Sequence, residues 1–210
     1  AFLRSLGHEN FKSSIPDISH ILHEVNNPLK QIEDYFVIFP FASWYGKEWP
    51  IDKFVSLIDK LSEKYAMTCV LCGGPNDVGS AQKIVGKSTV NIIDYTGKTD
   101  LMRLAKIIQA SRLVVSNDTS AIHIAASVCT KSVCMLGGGH YGRFLPYAFD
   151  AHNKSCSPET VIYNMDCFGC NWNCPYIKDQ RSSVPCINNI NVDSVLRICE
   201  KLLKDKAVSI

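Results

Sequence analysis

The hydrophobic residues of this chain alternate between short continuous runs and longer amphipathic stretches. A continuous apolar run is typical of a strand buried on both faces, whereas apolar residues three and four apart form one face of a helix. The runs predict five strands, at residues 35–41, 67–72, 90–93, 112–116 and 132–136. The amphipathic stretches predict helices at residues 51–65, 78–87, 100–110, 119–128 and 192–203.

Strands that alternate with helices predict a doubly wound parallel sheet, so the fold class is α/β and Rossmann-like. The segments at the two ends of the chain depart from this alternation. Residues 1–34 are polar and broken by Pro16 and Pro28, and we expect a short helix and a linker there rather than core. Residues 156–186 are rich in cysteine and are expected to be irregular, ahead of the closing helix.

Composition and charge narrow the classes of function. Of 210 residues, 46% are hydrophobic and 20% charged, and the formal charge is only +2. That balance argues against a nucleic-acid binder, and no apolar run is long enough to span a bilayer. The first twelve residues lack the apolar core of a signal peptide, so we expect a cytoplasmic protein.

Small and polar residues follow every predicted strand, at residues 42–47, 73–77, 96–99, 117–120 and 137–140. In a parallel sheet these segments share one edge, where ligands bind. Each alone could be ordinary turn chemistry. Together they favour a binding crevice at the carboxyl ends of the strands.

The segment after the fourth strand opens a helix that contains His123. Free backbone N–H groups at a helix start suit a phosphate, although Asp118 or Thr119 could simply cap the helix. Lys47 could face the same anion or be solvated. The three glycines at 137–139 could let a ligand approach the backbone or form a flexible turn. The sequence has neither G-x-G-x-x-G after the first strand nor a P-loop, which argues against those nucleotide sites.

Four of these segments, taken in order, resemble glycosyltransferase family 9, the heptosyltransferases of lipopolysaccharide synthesis. They are KEWP at 47–50, GGP at 73–75, GKTDL at 97–101 and SNDTSAIHIAA at 116–126. The last is the most specific, because it is similar to the family element D-[ST]-G-x-x-H-x-A-A. The resemblance covers residues 35–147 strongly and the remainder loosely.

The resemblance implies one half of a two-domain GT-B enzyme. Residues 35–210 would be the carboxyl-terminal domain, which binds a nucleotide-sugar donor, and residues 1–34 the linker from a missing amino-terminal domain. The implied reaction transfers a sugar, heptose by default, from an ADP-heptose-like donor to a lipopolysaccharide or related lipid-linked glycan by direct displacement, with no cofactor required. The acceptor site and catalytic base would lie on the missing domain, so no catalytic residue is assigned here. A lipid-linked acceptor could bring the protein to the inner face of the inner membrane.

The resemblance also places eight residues at the donor, and they are Ser43, Lys47, Asp77, Thr99, Asp118, Thr119, Ser120 and His123. Asp118 would accept hydrogen bonds from sugar hydroxyls. Ser43 and Lys47 would contact the phosphates or the sugar, and the residues at 119–120 would hold the pyrophosphate.

The remaining donor residues have less specific roles. Asp77 would lie near the ribose and Thr99 in the loop that contacts the base, while His123 would lie near the phosphates or support the loop. Two departures from the family pattern leave the sugar and the nucleotide open. Ser120 stands where the family often has Gly, and residues 137–140 replace a Gly-Pro-[ST] turn.

The ten cysteines form two groups. Those in apolar segments are interpreted as small buried hydrophobes in a reducing compartment, and they are Cys69, Cys72, Cys129 and Cys134. A second group could bind a structural zinc through four thiolates or remain free or disulfide-prone thiols, and it comprises Cys167, Cys170, Cys174 and Cys186. The three tryptophans, Trp44, Trp49 and Trp172, are expected to pack rather than stack on a base.

Three hypotheses follow from the sequence. The leading one is the donor-binding half of a glycosyltransferase, and the alternative is a nucleotide- or sugar-binding module without catalysis. A third is a metal-stabilised interaction domain whose crevice is unused, although such a crevice would not need Lys47, Asp118 and Thr119 together. An upstream Rossmann-like half would favour the enzyme over the binding module.

Overall fold

The computed structural model describes residues 5–7, 14–147, 156–177, 179 and 181–204. Its strands are β1 Tyr35–Phe39, β2 Thr68–Leu71, β3 Ile92–Asp94, β4 Leu113–Asn117, β5 Ser132–Met135 and β6 Glu159–Val161. Its helices are α1 Ile51–Tyr65, α2 Val78–Lys87, α3 Leu101–Gln109, α4 Ser120–Ser127, α5 Pro185–Asn188 and α6 Val192–Lys204. Short 3-10 turns lie at Ser19–Leu22, Tyr45–Lys47, Pro75–Asp77 and Gly138–His140.

The six strands form one sheet in the order β3-β2-β1-β4-β5-β6, and every neighbouring pair is parallel. Phe36 on β1 pairs with Cys69 on one side and Leu113 on the other, which sets the register at the centre of the sheet. The strand order reverses direction between β1 and β4, as it does in Rossmann-like sheets. The predicted fold class is therefore confirmed.

The two faces of the sheet carry separate cores because successive side chains along a strand point to opposite sides. Phe36 and Ile38 face a layer formed by α1, α2 and α6, in which Phe54 is fully buried. Tyr35 and Val37 face a layer formed by α3 and α4. Helices thus cover both faces, as a doubly wound sheet requires.

Sequence signals account for the bounds of α1 and α3. Pro50 precedes α1, and Ala66 ends it in the left-handed conformation with φ of 51°. Asp100 caps α3, because its side chain accepts a hydrogen bond from the backbone N–H of Arg103 at 2.8 Å. Pro50 and Asp100 therefore begin these helices directly after the loops that follow β1 and β3.

Two predictions about the ends of the chain need correction. Residues 159–161 in the supposedly irregular segment form β6, which pairs with β5. The expectation that residues 1–34 contribute no core is also wrong, since Leu22 and Leu29 are buried in the layer with α3 and α4. The domain boundary at residue 35 stays a prediction, and residues 1–4 and 8–13 lie outside the described residues.

The interpretation of Cys129 as a buried free thiol is wrong, because it forms a disulfide with Cys156 and the two Cα atoms are 4.4 Å apart. The bond ties the connection between α4 and β5 to the segment that precedes β6. Cys69, Cys72 and Cys134 are fully buried thiols, as predicted. Burial raises the pKa of Cys72 to about 12.

None of the helices in the described ranges is both long enough and apolar enough to cross a membrane.

Candidate binding site

A cavity of about 630 Å³ opens at the carboxyl ends of the three central strands. Its walls are residues 41–45 and Glu48 after β1, residues 74–77 after β2, and residues 118–120 after β4. Five of the eight predicted donor residues line it, namely Ser43, Asp77, Asp118, Thr119 and Ser120. The remaining three, Lys47, Thr99 and His123, are not among the lining residues.

Asn117, the last residue of β4, fixes the loop that follows β1. Its side-chain nitrogen Nδ2 donates to the backbone carbonyl of Pro40 at 2.5 Å, and its side-chain oxygen Oδ1 accepts from the backbone N–H of Trp49 at 3.0 Å. Because Asn117 is fully buried, these two bonds are shielded from water. The residue therefore holds the first wall of the cavity against the wall that carries Asp118.

Asp118 is held inside the cavity wall with only 8% of its side chain exposed. The nearest cation-forming group is His123, whose Nε2 lies 3.9 Å from Asp118 Oδ1. The other ring nitrogen, Nδ1, shares a 2.5 Å hydrogen bond with the hydroxyl of Tyr147. His123 thus lies between Asp118 and Tyr147 and is not among the residues that line the cavity, which favours a supporting role.

The start of helix α4 is open, since none of the described side chains caps it. The hydroxyl of Thr119 lies 3.0 Å from that of Ser116 instead. The alternative of a plain cap by Asp118 or Thr119 is therefore not observed. The first N–H groups of an uncapped helix carry a partial positive charge, so this end of the cavity suits an anion.

Lys47 lies beside the cavity rather than on its lining. Its ammonium nitrogen is 4.8 Å from the ring centroid of Trp172, a cation–π contact. The ring of Trp172 meets that of Trp44, which lines the cavity, edge to face at a centroid distance of 5.7 Å. The sequence did not predict this contact with the Trp172 ring, and a place for the Lys47 charge facing the anion stays a prediction.

The three glycines at 137–139 make room for the protein's own aromatic rings. A Cβ atom on Gly137 or Gly139 would collide with Trp172, and one on Gly138 would collide with Phe168. All three are buried. The two predicted explanations, a ligand contact and a flexible turn, are therefore both wrong.

The loop that carries Thr99 contacts the loop after β2. Gly97 in this loop donates its N–H to the carbonyl of Gly73 at 3.0 Å, and a Cβ atom added to Gly97 would lie 3.1 Å from the Cα of Pro75. The loop therefore packs against the second wall of the cavity, and Thr99 is not among the lining residues. A contact between Thr99 and a base stays a prediction.

Glu48 lines the cavity although the sequence did not predict it there, and it belongs to the KEWP segment at 47–50. Its carboxylate accepts the N–H of Ala42 at 3.0 Å, which ties the two ends of the loop after β1 together. Burial raises the pKa of Glu48, and the nearby carboxylate of Asp77 acts in the same direction. A proton on Glu48 lowers the negative charge of the cavity.

The raised pKa of Glu48 predicts a pH-dependent effect on stability. A raised pKa means that the contribution of Glu48 is fully favourable below its ordinary value of 4.5 and is lost as pH rises through the raised value. Glu48→Gln keeps the acceptor for Ala42 and removes the charge. We expect it to raise the melting temperature at pH 7 by about 2 °C, with no gain near pH 4.

Thermal unfolding of Glu48→Gln between pH 4 and pH 8 measures this effect. Glu63→Gln is the matched control, since Glu63 is exposed on α1. A gain that is the same at every pH would show that the charge of Glu48 has no part in it.

The second group of cysteines forms what we call the four-cysteine cluster: Cys167, Cys170, Cys174 and Cys186. All four line one small cavity of about 10 Å³, which Trp172 also lines. Burial raises the pKa of the Cys186 thiol, and the other three thiols of the cluster also raise it. In the described part of the chain, no three His, Cys, Asp or Glu side chains are already arranged as metal ligands.

The chain is an α/β protein of the Rossmann-like class, and its polar cavity lies at the switch point of the sheet, where domains of this class bind their ligands. The family model of glycosyltransferase family 9 (heptosyltransferase) matches residues 8–166. The chain therefore belongs to glycosyltransferase family 9. This confirms the resemblance seen in the four sequence segments.

A curated relative is lipopolysaccharide heptosyltransferase 1 of Salmonella typhimurium, which is 23% identical over 172 residues, 79% of this chain and 51% of the relative. The family 9 glycosyltransferase of Veillonella parvula has 21% identity and a TM-score of 0.63, with 81% of this chain and 46% of that chain covered. The structure of E. coli heptosyltransferase WaaC with ADP-2-deoxy-2-fluoro heptose has 18% identity and a TM-score of 0.61, with 95% of this chain and 53% of that chain covered.

The chain thus spans about half the length of the relatives it matches. At these identities the solved structures establish the shared fold.

Proposed function

We propose that this chain is the donor-binding half of a glycosyltransferase. The complete protein would transfer a sugar, heptose by preference, from an ADP-heptose-like donor to a lipopolysaccharide or related glycan. The observation that carries the proposal is the cavity at the ends of β1, β2 and β4, where Asp118 lies beside the open start of α4. Family membership and the donor analogue named with the E. coli relative support this choice.

In this proposal Asp118 binds the sugar. A carboxylate accepts hydrogen bonds from two hydroxyls at once, and such charged bonds are stronger than neutral ones. Because Asp118 is nearly buried, these bonds would be poorly screened by water. His123 would act as a positioning residue, since it lies between Asp118 and the hydroxyl of Tyr147.

The diphosphate would lie against the start of α4. The backbone N–H groups there and the hydroxyls of Thr119 and Ser120 would donate to its oxygens. Ser43, exposed on the opposite wall, would donate from the other side. These groups would stabilise the negative charge that collects on the diphosphate as the bond to the anomeric carbon breaks.

Charge makes Lys47 important for this anion. The described residues that line the cavity include three carboxylates, those of Glu48, Asp77 and Asp118, and no lysine or arginine. Lys47 lies in the loop between two lining residues, Tyr45 and Glu48. Its ammonium contacts the Trp172 ring, and from that position it would supply the positive charge that the lining lacks.

Replacing Lys47 with alanine is therefore expected to weaken ADP binding by about tenfold at low salt and to leave adenosine binding unchanged. The loss should shrink as salt rises, because salt screens the lost attraction. Calorimetric titration at two ionic strengths measures both effects. Lys60→Ala is the matched control, since Lys60 pairs with Asp193 on the surface at 3.0 Å. Unchanged ADP affinity in Lys47→Ala would remove Lys47 from the site.

Asp77 and Thr99 would contact the nucleoside. Asp77 lines the cavity, and one of its carboxylate oxygens accepts the N–H of Gly74 at 2.7 Å. That bond fixes the carboxylate at the wall, where it could accept from the ribose hydroxyls. Thr99 would contact the base from the neighbouring loop.

Binding of ADP-heptose to this chain tests the proposal directly. We expect ADP-heptose to bind more tightly than ADP, and ADP more tightly than UDP, in calorimetric titrations. Failure of all three nucleotides to bind would overturn the proposal. If ADP-heptose does bind, heptose transfer by the complete protein would distinguish an enzyme from the alternative, a nucleotide-sugar-binding module that binds without transfer.

A further inference from the structure

The four-cysteine cluster is the part of the molecule that the proposed function leaves unused. Its members come from two separate segments, residues 167–174 and the short helix α5, and they surround one small cavity. The other walls of that cavity are apolar or aromatic, Met165, Tyr176 and Val184 among them. No acidic side chain lies among its described lining residues, so apart from the Tyr176 hydroxyl and the Met165 thioether the side-chain atoms there that could bind a cation are the four cysteine sulfurs.

One cluster sulfur already receives a hydrogen bond from the backbone. The N–H of Gly138 donates to Sγ of Cys186 at 3.4 Å, at a buried site. A thiol is a weak acceptor, whereas a thiolate is a good one, and backbone N–H groups around metal-bound thiolates offset their charge. Gly138 also accepts the N–H of Gly169 at 2.8 Å, so the loop after β5 and the cysteine segment are held together.

The same segment carries Trp172, which touches the candidate donor site. Its ring fills the space above Gly137 and Gly139, seats the ammonium of Lys47, and meets Trp44 edge to face. Trp172 lies in the sequence between Cys170 and Cys174. Whatever fixes these two cysteines therefore fixes Trp172.

We propose that the four-cysteine cluster binds one thiophilic divalent cation, with zinc as the cation to test. We further propose that the bound cation fixes the position of Trp172, whose ring contacts the ammonium of Lys47. Metal occupancy would thereby affect diphosphate binding.

The chemistry of the donor set favours such a cation. Four sulfur ligands suit zinc or another soft first-row cation in tetrahedral geometry. Because no three cluster side chains yet converge as ligands, binding requires the thiols to rotate inwards and to lose their protons. The cavity of about 10 Å³ has room for a single small ion.

A bound cation would also order the segment that carries three of the four cysteines. Residues 165–177 contain no helix or strand, and several of their side chains are exposed. A segment with so little core of its own gains order when a cation crosslinks it to α5. This coupling to the diphosphate rests on the proposed function, whereas the metal site does not.

Metal content tests the site itself. Chain purified from zinc-supplemented cells is expected to contain one zinc per chain by mass spectrometry, and Cys167→Ser and Cys170→Ser are expected to contain less than a tenth of that. Cys199→Ala is the control, since this thiol is buried in the core on α6, outside the cluster. A wild-type chain that binds no zinc, with four cluster thiols open to thiol reagents, would overturn the site.

A cobalt titration tests the metal site in the wild-type chain, so its result does not depend on how well the variants fold. Co²⁺ added to metal-free wild-type chain should produce thiolate-to-cobalt charge-transfer absorption that saturates at one equivalent. Absence of that absorption in folded chain would also overturn the site.

Nucleotide binding tests the coupling. Removing zinc from the wild-type chain is expected to lower ADP affinity by about three- to tenfold, and zinc should have no such effect in Lys47→Ala. Equal ADP affinity with and without zinc would overturn the coupling and leave the metal site standing. If neither form binds any nucleotide while zinc binds at one per chain, the proposed function fails and the metal site does not.

Discussion

Replacing Asp118 with alanine is expected to lower the affinity for ADP-heptose by about ten- to a hundredfold and to lower the affinity for ADP far less. The carboxylate is nearly buried, so water cannot replace the hydrogen bonds that it would make to sugar hydroxyls. ADP lacks the sugar and would keep its contacts at the start of α4. Calorimetric titration of both ligands measures the difference.

Two further variants define the role of Asp118. Asp118→Asn keeps the shape and one acceptor, so it should lose less affinity than alanine. Asp193→Ala is the control for removal of a carboxylate, because Asp193 lies in an exposed ion pair, and such pairs contribute little. Equal losses for ADP-heptose and ADP in Asp118→Ala would mean that Asp118 acts on the diphosphate or on the fold, not on the sugar.

The sequence predicted most of the fold because its central part is regular. From residue 35 to residue 135, buried strands read as continuous apolar runs, and the helices between them have one apolar face. The sixth strand, Glu159–Val161, has three residues, and only Val161 is buried. So short a strand at the sheet edge leaves no hydrophobic run to detect.

The site was predicted less completely, because the sequence does not give the strand order. All five crevice segments lie at one edge of the sheet, but only β2, β1 and β4 are adjacent at its centre. The cavity lies at their ends, so residues 42–45, Asp77 and Asp118 line it. The loops after β3 and β5 lie one strand further out, which explains why Thr99 and the three glycines are not on the lining.

Long-range contacts account for the rest of the misses. The rings that occupy the space above Gly137–Gly139 come from residues about thirty positions later, and no local pattern points to them. The cation–π contact between Lys47 and Trp172 joins residues that are even further apart in the sequence. Glu48 directly follows Lys47 in the KEWP segment, but the sequence does not show that its side chain lines the cavity.

We expect these 210 residues, tested alone, to bind ADP-heptose and to transfer no heptose. The cavity offers groups that bind a sugar and a diphosphate, but the implied acceptor site and its base belong to a second domain. A positioned general base contributes about 10²–10⁴-fold to rate, and correct placement of the acceptor contributes more. Without both, turnover should fall below detection while donor binding survives.

The isolated chain is incubated with ADP-heptose and a lipopolysaccharide acceptor, and mass spectrometry measures the heptose that is released or transferred. Transfer that Asp118→Ala abolishes would place a base within this chain and overturn the expectation. Among the acidic and imidazole groups near the crevice, Asp100 is committed to capping α3 and His140 shares a 2.7 Å hydrogen bond with Asn171. Asp77 would then be the first residue to replace, because it lines the cavity whereas Asp100 and His140 do not, and only one of its carboxylate oxygens accepts the N–H of Gly74.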